Sequence, residues 1–583
     1  MGLFSLSQAL GFAGKILDNR VSTEPAIEFS TDKPPCPQGL AGDLPRCAPE
    51  EEGIPSSHIT QFLRALSEDK TLNMHSVTIL RHGRVLCEVA FGAQRLDVWK
   101  YTFSACKSVV SLAIGLLIDD GLLDPSDRVV EIFPKEAGAI GKIKLKDLTV
   151  EDLLTMRSSV FFTELDSISE PSWLKGFFNA PLRGEMGKTF YYNSLNTYLL
   201  SAIIKKKTER PLSDFLQDRL FAPLGIKGDA WHWESCPLGT EKGGWGLYMR
   251  QEDLAKLALL VMQNGRWNGA QIVSESYLAE ATSKKVAVQT AGTRFDYGYH
   301  IWVGKQNDTF LFNGLFGQNV LGFRHNGIVI ACNAGNGELF QQSNFFAYAE
   351  RFFDRNFDDC LPQKKKEFGA LKDFCTSLSA YKPERKKLCL TKKEPSPLDT
   401  VVGRRFVYRE GFEKSVGFLP LFLQAIHNVY TKGFVSIAFS SCEDGSVLMH
   451  YEERNRTITV PVGLRSPAVS TVQFGETAYT VAASARMVRD EDGHDILVIR
   501  IDFLEFPSSR VIKLDFLNED TVLLRNEETP GESVSRDLIR IISEQVQDIS
   551  VLSTVMDRIG SDYFEFKAER AFAPRLILQP TNE

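Results

Sequence analysis

The chain of 583 residues lacks several features that would place it in a familiar class. No run approaches the ~18 apolar residues that a membrane-spanning helix needs, so we expect no transmembrane segment. A net charge of −7 suggests no concentrated basic face, and we expect no nucleic-acid partner. The ten cysteines form no C-x-x-C pair, so neither a zinc site nor a disulfide framework is indicated. We therefore expect a cytoplasmic protein.

Signatures of several enzyme classes are also missing. The sequence has no G-x-S-x-G elbow, which argues against an α/β-hydrolase. Its nine histidines show neither H-E-x-x-H nor another ligand spacing, so we expect no bound metal and no cofactor. The composition, 43% hydrophobic and 24% charged, is that of an ordinary globular protein of roughly two to four domains.

A candidate nucleophile comes from the S-x-x-K pattern, which is weak alone because chance predicts about two matches in a chain of this length. The sequence has five: Ser30/Lys33, Ser67/Lys70, Ser104/Lys107, Ser172/Lys175 and Ser379/Lys382. Only Ser104 opens a strongly apolar segment, SACKSVVSLAIGLLIDDGLLD. This context favours Ser104 as the nucleophile.

The spacing of three places the side chains of Ser104 and Lys107 on the same face of a predicted helix. A lysine at the start of an apolar helix is partly desolvated and lies near the positive helix end, and both effects lower its pKa. Lys107 can then be neutral and accept the proton of the serine. The same helix N-terminus directs backbone N–H groups towards an oxyanion.

A second element is Y-x-N, which among the fifteen tyrosines occurs only at Tyr191 and Asn193. In an extended segment residues i and i+2 point the same way, so both side chains could enter one pocket. A tyrosinate held by a lysine is a competent general base. The alternative is an aromatic cluster, Phe190-Tyr191-Tyr192, that packs at the edge of a core. This pattern alone favours neither interpretation.

Further blocks follow in order: LLIDDGLLDPSDRVVEIFP, LTVEDLLTM, FYYNSLNTYLLSAII and LFAPLGI. With them, residues 50 to 355 resemble the serine β-lactamase and penicillin-binding-protein superfamily. The segment GGWGLYMRQEDLAKLALLVMQNGRWNG looks like its class C-related esterase and nylon-oligomer-hydrolase branch. The resemblance implies Ser104 as nucleophile, Lys107 and Tyr191 as proton-transfer partners, and Asn193 at the substrate. It also implies an antiparallel sheet with helices on both faces, beside an all-helical subdomain.

The family's third motif, K-T-G or H-x-G on an edge strand, corresponds here to Phe312-Asn313-Gly314. The resemblance implies that Gly314 leaves room for substrate against the strand. It also implies that the N–H of Leu315 joins that of Ser104 in an oxyanion hole. Since Phe312 replaces the cation or polar residue, a substrate carboxylate loses a contact of about 1.5–3 kcal/mol. We therefore expect neutral, apolar acyl groups and no true β-lactamase.

Composition divides the chain into four parts. Residues 1–45 form an N-terminal extension, residues 46–360 the hydrolase domain, residues 361–398 a basic, proline-punctuated linker, and residues 399–583 a β-rich domain. The predicted fold class is α/β (α+β) for the β-lactamase-like domain, followed by an all-β domain built from short alternating strands. The last domain resembles the lipocalin-like extensions of some hydrolases of this family and has no catalytic set of its own.

We expect a serine hydrolase that acts through an acyl-serine intermediate on a small ester or amide. Two alternatives stay open at this stage. One is a catalytically silent binding or sensor module that has kept the fold, and the other is a D-alanyl peptidase or acyltransferase of the same fold. The sequence does not decide the oligomeric state, and a homo-oligomer is compatible with it.

Overall fold

The computed structural model describes residues 31–167, 170–289, 293–337, 341–380, 401–411, 413, 416–441, 447–491, 493–531 and 573–582. They form two compact units. The first comprises Pro37–Phe91 and Arg95–Ser379, and the second residues 31–36, 92–94 and those described from residue 380 onward. The described part of the predicted N-terminal extension is thus divided between the units. Among the described residues, no helix is both long and apolar enough to cross a membrane.

The first unit is rich in helices. They are α1 (Ser56–Glu68), α2 (Cys106–Asp119), α3 (Val129–Ile132), α4 (Gly138–Lys144), α5 (Val150–Leu154), α6 (Glu164–Ser167), α7 (Trp173–Asn179), α8 (Ser194–Thr208), α9 (Leu212–Leu216), α10 (Gln251–Met262), α11 (Glu275–Ala281), α12 (Asn344–Phe353) and α13 (Lys365–Ser379). A π-helical turn covers Gln217–Phe221, and short 3₁₀ turns cover Pro49–Glu52, Phe103–Ala105, Leu315–Gly317 and Arg324–Asn326. Helices α3 to α9 follow one another without a named strand, as expected for an all-helical subdomain.

The strands of this unit are β1 (Met74–Arg81), β2 (Arg84–Ala90), β3 (Lys100–Tyr101), β4 (Trp231–Trp233), β5 (Leu247–Met249), β6 (Arg266–Trp267), β7 (Ala270–Gln271), β8 (Phe295–Tyr297), β9 (Trp302–Gly304), β10 (Thr309–Gly314), β11 (Gln318–Phe323) and β12 (Ile328–Ala334). Seven of them form an antiparallel sheet in the order β2-β1-β12-β11-β10-β9-β8. A three-stranded sheet, β3-β5-β4, and the β6-β7 hairpin complete the set.

Apolar side chains cover both faces of the seven-stranded sheet. On one face α1 and α12 contribute Phe62 and Phe353 to the core. On the other face α2 and α8 contribute Val109 and Leu199 to a second core. The predicted antiparallel sheet between helices is therefore confirmed, and helix α2, which begins directly after Ser104, lies in the larger of these cores.

Helix α13 lies where the sequence predicted a linker. It falls inside residues 361–398 and belongs to the first unit. Phe368, Leu371 and Phe374 recur along it at helical spacing and pack into the same core as α1, so it is an amphipathic helix. The lysines that precede and flank these residues obscured that period. The remainder of the predicted linker lies outside the described residues.

The second unit is built from strands. They are β13 (Arg404–Tyr408), β14 (Phe434–Ser441), β15 (Val447–Glu453), β16 (Arg456–Val462), β17 (Ala468–Phe474), β18 (Thr477–Arg489), β19 (Asp495–Phe503), β20 (Ser509–Asn518), β21 (Thr521–Thr529) and β22 (Arg575–Asn582), with one short helix, α14 (Leu421–His427). They form one antiparallel sheet in the order β16-β15-β14-β13-β22-β21-β20-β19-β18-β17.

The two ends of this ten-stranded sheet approach each other. Just after β16, the N–H of Gly463 donates to the carbonyl of Ala483 in β18 (3.0 Å), and the N–H of Ala485 donates back to the carbonyl of Gly463 (2.9 Å). A sheet that curls until its ends share hydrogen bonds protects its edges. The unit is an all-β near-barrel, which confirms the predicted β-rich domain.

Two ion pairs are enclosed in the second unit. Lys33 Nζ lies 2.8 Å from Glu505 Oε1 with neither side chain exposed. Arg510 Nη1 lies 2.9 Å from Glu528 Oε1 with 3% of each side chain exposed. Removing one partner of such a pair leaves a buried charge without its counter-ion, which is strongly destabilising.

Lys33→Met should lower the free energy of unfolding of the second unit by about 3 kcal/mol, because the Glu505 carboxylate loses its cation. As a matched control, Lys513→Met removes the lysine of a partly exposed pair with Glu527 and should cost less than about 1 kcal/mol. Urea unfolding followed by hydrogen exchange of peptides from β18 and β19 measures both. Equal losses in the two variants would contradict this prediction.

Candidate active site

Ser104 lies in the 3₁₀ turn Phe103–Ala105 that leads into α2. The turn is anchored by the preceding residue, since the N–H and the hydroxyl of Thr102 both donate to the carbonyl of Leu247 at 2.9 Å. Phe103 has φ 48°, a left-handed conformation that is uncommon for a bulky residue. The bend keeps Ser104 half-buried at the mouth of an otherwise buried helix.

Lys107 is buried, with 1% of its surface exposed. Its Nζ lies 2.8 Å from Ser104 Oγ, 3.0 Å from Ser194 Oγ and 2.6 Å from the carbonyl oxygen of Gly244. The carbonyl can only accept, so it holds one hydrogen of the amine. When Lys107 is neutral, its lone pair is free to accept the hydroxyl hydrogen of Ser104. The sequence-predicted pair is therefore brought together.

Gly243 and Gly244 allow the carbonyl of Gly244, the third hydrogen-bond partner of Lys107, to reach the amine. A Cβ at Gly243 would lie 2.0 Å from Ser201 Oγ, and a Cβ at Gly244 would lie 2.6 Å from the carbonyl oxygen of Ser194. Any side chain at either position would push this segment away from α8. Gly243-Gly244 is thus required for the carbonyl of Gly244 to reach the amino group of Lys107.

Burial lowers the pKa of Lys107 to about 8, against the weaker opposing effects of Cys106 and of the Glu164 carboxylate. The cause is desolvation, because a buried ammonium ion loses its hydration. The amine is consequently deprotonated in a substantial fraction of molecules at mildly alkaline pH. Such a group can accept a proton from a serine hydroxyl.

The structure places Tyr192, and not the predicted Tyr191, beside Ser104. The side chain of Tyr192 is hydrogen-bonded to that of Ser104, and its ring centre lies 5.0 Å from Lys107 Nζ. Burial raises the pKa of the Tyr192 phenol well above its ordinary value, so the phenol stays protonated. Tyr191 instead contacts Phe161, with ring centres 5.9 Å apart.

Asn193 also lies outside the cluster around Lys107. It is the N-cap of α8, where its Oδ1 accepts from the N–H of Leu195 at 2.9 Å. Its Nδ2 donates to the carbonyls of Val160 and Phe162 at 2.9 and 3.0 Å. These bonds fix a helix start and a loop, so the structure gives Asn193 a capping role.

Two residues at i and i+2 do face Lys107, but they lie one position later in the chain than the predicted Tyr191 and Asn193. Tyr192 and Ser194 share the side of the segment that faces Lys107, while Tyr191 and Asn193 share the other side. A shift of one residue exchanges the two faces of an extended segment. The signal that could have found Ser194 is its place at the first turn of α8, directly after the N-cap Asn193.

Gly314 is the last residue of β10, and Leu315 follows it in a turn close to Ser104. A Cβ at Gly314 would lie 2.3 Å from the carbonyl oxygen of Thr102, so only glycine fits there. The next turn contains Phe316 with φ 62°, and its ring contacts that of Phe103 edge-on at 5.5 Å. The two left-handed residues therefore support each other on either side of the predicted oxyanion site.

Phe312 does not line the cleft. Its side chain is fully buried, and it belongs to the core that contains α2. Its ring centre lies 6.0 Å from that of Phe310, which precedes it on the same face of β10. The ring of Phe312 therefore has no exposed surface to offer a substrate.

A buried histidine that the sequence analysis did not consider lies behind Lys107. His300 has φ 55° and is 1% exposed, and its Nε2 lies 3.0 Å from Thr197 Oγ1 in α8. Its carbonyl accepts from the hydroxyl of Ser108, the neighbour of Lys107, at 2.7 Å. Burial and the charge of Lys107 lower the pKa of His300 well below its ordinary value, so the ring is neutral. It ties α2 to α8 beside the site.

The described residues contain no group of histidine, cysteine, aspartate and glutamate side chains placed to hold a metal ion. The polar groups around Ser104 are instead an amine, a phenol and hydroxyls. These groups can exchange protons and direct a nucleophile.

The chain is similar to known proteins over part of its length. Residues 59–339 match the family model described as Beta-lactamase. A 6-aminohexanoate-dimer hydrolase from Paenarthrobacter ureafaciens is 27% identical over 270 residues, which cover 42% of this chain and 67% of that protein.

Solved structures of low identity are also similar. A penicillin-binding protein from Bacillus halodurans is 15% identical, with a TM-score of 0.41 over 51% of this chain and 99% of that one. A D-amino acid amidase from Ochrobactrum anthropi is 17% identical, with a TM-score of 0.40 over 51% of this chain and 97% of that one.

Lys107→Met should stabilise the first unit by about 3 kcal/mol below pH 8, because the variant no longer buries an ammonium ion. The lysine pKa is lower in the folded state than in the unfolded state. Folding therefore expels a proton between about pH 8 and 10.5. The advantage of the variant should shrink across that range and vanish above it. Thermal unfolding followed by tryptophan fluorescence at several pH values measures it, and a pH-independent difference would contradict the lowered pKa.

Proposed function

Because residues 59–339 belong to the serine β-lactamase and penicillin-binding-protein-like superfamily, we propose that this hydrolase cleaves small esters or amides through an acyl intermediate on Ser104. One observation carries the proposal: the Nζ of buried Lys107 lies 2.8 Å from Ser104 Oγ. An amine whose pKa is lowered to about 8 combines a usable free-base fraction with enough basicity to take the serine proton.

In the first half of the reaction, Ser104 Oγ attacks the carbonyl carbon of the substrate while its proton passes to the Nζ of Lys107. The negative charge then develops on the former carbonyl oxygen. The N–H groups of Ser104 and Leu315 stabilise it, at the start of α2 and after Gly314. The tight fit of Gly314 against Thr102 supports this pairing because it brings the two chain segments together.

Collapse of this intermediate needs a proton for the leaving oxygen or nitrogen. Tyr192 supplies it, since its phenol stays protonated and is hydrogen-bonded to Ser104, and the proton on Lys107 then restores the phenol. Ser194, 3.0 Å from Lys107, positions the amine during this exchange. Water, deprotonated by the same groups, attacks the acyl carbon and releases Ser104.

The substrate class is a small ester or amide. The relative from Paenarthrobacter ureafaciens is named a hydrolase of the 6-aminohexanoate dimer, which supports including amides. The third-motif position carries buried, uncharged Phe312, so β10 offers no cation to a carboxylate at this position. We therefore leave β-lactam antibiotics out of the proposed substrates.

Ser104→Ala should abolish hydrolysis of p-nitrophenyl acetate and labelling by a fluorophosphonate, with a rate loss of at least about a thousandfold because no other group can form the acyl enzyme. Initial rates and intact mass measure the two effects. Ser67→Ala and Ser172→Ala, which alter the serines of two other S-x-x-K pairs, should stay near wild type. Retention of a tenth of the wild-type rate in Ser104→Ala would refute the nucleophile.

Tyr192→Phe should lower kcat by about 10²–10⁴-fold, since the proton donor to the leaving group is lost. Tyr191→Phe is the matched control, because it removes the same atom one residue away. It should change kcat less than about threefold, since only a peripheral hydrogen bond is lost. The comparison uses kcat and KM for p-nitrophenyl esters of graded chain length. A large loss in Tyr191→Phe with an active Tyr192→Phe would reverse the assignment.

A further inference from the structure

Two cysteines of the first unit lie in contact although they are far apart in the sequence. Cys87 belongs to β2 and Cys375 to α13, and their sulfur atoms are 3.6 Å apart in a thiol hydrogen bond. Residues 288 positions apart therefore meet through the packing of a helix on an edge strand. A disulfide needs the sulfurs to approach by a further ~1.5 Å.

Helix α13 is held against its neighbours on both sides of Cys375. On the C-terminal side of Cys375, the hydroxyl of Ser379 donates to the carbonyl of Ala90, the last residue of β2, at 2.6 Å. The guanidinium carbon of Arg64 in α1 lies 4.9 Å from the ring centre of Phe374. These contacts keep the two sulfurs adjacent in the reduced protein, so the pair is preorganised rather than brought together by chance motion.

The two thiols differ in environment. Cys87 is buried, with 8% of its surface exposed, whereas Cys375 is only half-buried. The hydrogen bond from Cys87 lowers the pKa of the Cys375 thiol, and the same bond together with burial raises the pKa of Cys87. A half-buried thiol of lowered pKa beside a buried thiol is the arrangement of an attacking and a resolving cysteine.

We propose that Cys87 and Cys375 form a thiol–disulfide exchange site that accepts a low-molecular-weight disulfide and stores its oxidising equivalents as an internal bond. The thiolate of Cys375 attacks one sulfur of the small disulfide, and the other half leaves as a thiolate that takes up a proton. Cys87 then loses its proton and attacks the Cys375 sulfur, which expels the second half as a thiol. Two protein thiols and one small disulfide thus become one protein disulfide and two small thiols.

The bond would fasten α13 to β2. A cross-link between residues so far apart in sequence restricts the unfolded chain, so the oxidised protein should unfold about 5 °C higher than the reduced one. The site lies outside the cluster around Lys107. The exchange therefore does not depend on the proposed hydrolysis.

Oxidised glutathione is the probe. Incubation of the full-length protein should lower the mass by two hydrogen atoms, and peptide mapping without reductant should recover Cys87 linked to Cys375. Cys87→Ser should stop at a stable glutathione adduct on Cys375, because no thiol remains to resolve it. Cys375→Ser should leave Cys87 unmodified, because the buried thiol cannot be reached.

Cys360, an exposed cysteine of the same unit, provides the matched control. Cys360→Ser should keep the internal bond and the rise in Tm. A wild-type protein that carries only glutathione adducts, or that reacts at Cys360 while Cys87 and Cys375 stay reduced, would overturn the proposal. Fluorophosphonate labelling of Ser104 in the same samples reports separately on the hydrolase site.

Discussion

Burial of the amino group of Lys107 is the constraint on which the rest of the site depends. Helix α2 is buried from Cys106 to Leu117, so its first turn cannot offer the amine to water. The ring of Tyr192 covers another side. Desolvation is the largest effect on the pKa of Lys107 and lowers it to about 8, although the Glu164 carboxylate acts in the opposite direction. A base works best when its pKa lies near the working pH. The apolar sequence of α2 therefore contributes to the chemistry, because it buries the amine and lowers its pKa.

The same packing holds the backbone in conformations that it would otherwise avoid. Phe103, His300 and Phe316 all have φ between 48° and 62°, at a cost of about 1 kcal/mol or more each. Such strain persists only where the surroundings over-determine it. Here the rings of Phe103 and Phe316 contact each other, and hydrogen bonds with Ser108 and Thr197 hold His300. The packing of the core thus stabilises the strained turns around Ser104.

The part of the site that lies within one helix could be predicted from the sequence, because the relation of Ser104 to Lys107 is fixed by helical spacing and the apolar run signals burial. The tyrosine could not be assigned in the same way. Period-two alternation pairs Tyr191 with Asn193 and Tyr192 with Ser194 equally well. Which pair faces Lys107 depends on how the segment docks, and the N–H of Tyr191 donates to Met156 in another part of the chain.

Strand β10 shows why a family motif can indicate a position and still mislead about a side chain. Phe310 and Phe312 belong to the core on one face of the sheet, while Leu311 belongs to the core on the other face. A strand that is buried on both faces has no polar alternation to distinguish the inside from the outside. The sheet itself follows from its apolar, β-branched runs. The direction in which each residue of a central strand points is decided by the helices that cover it, and that information is not local to the strand.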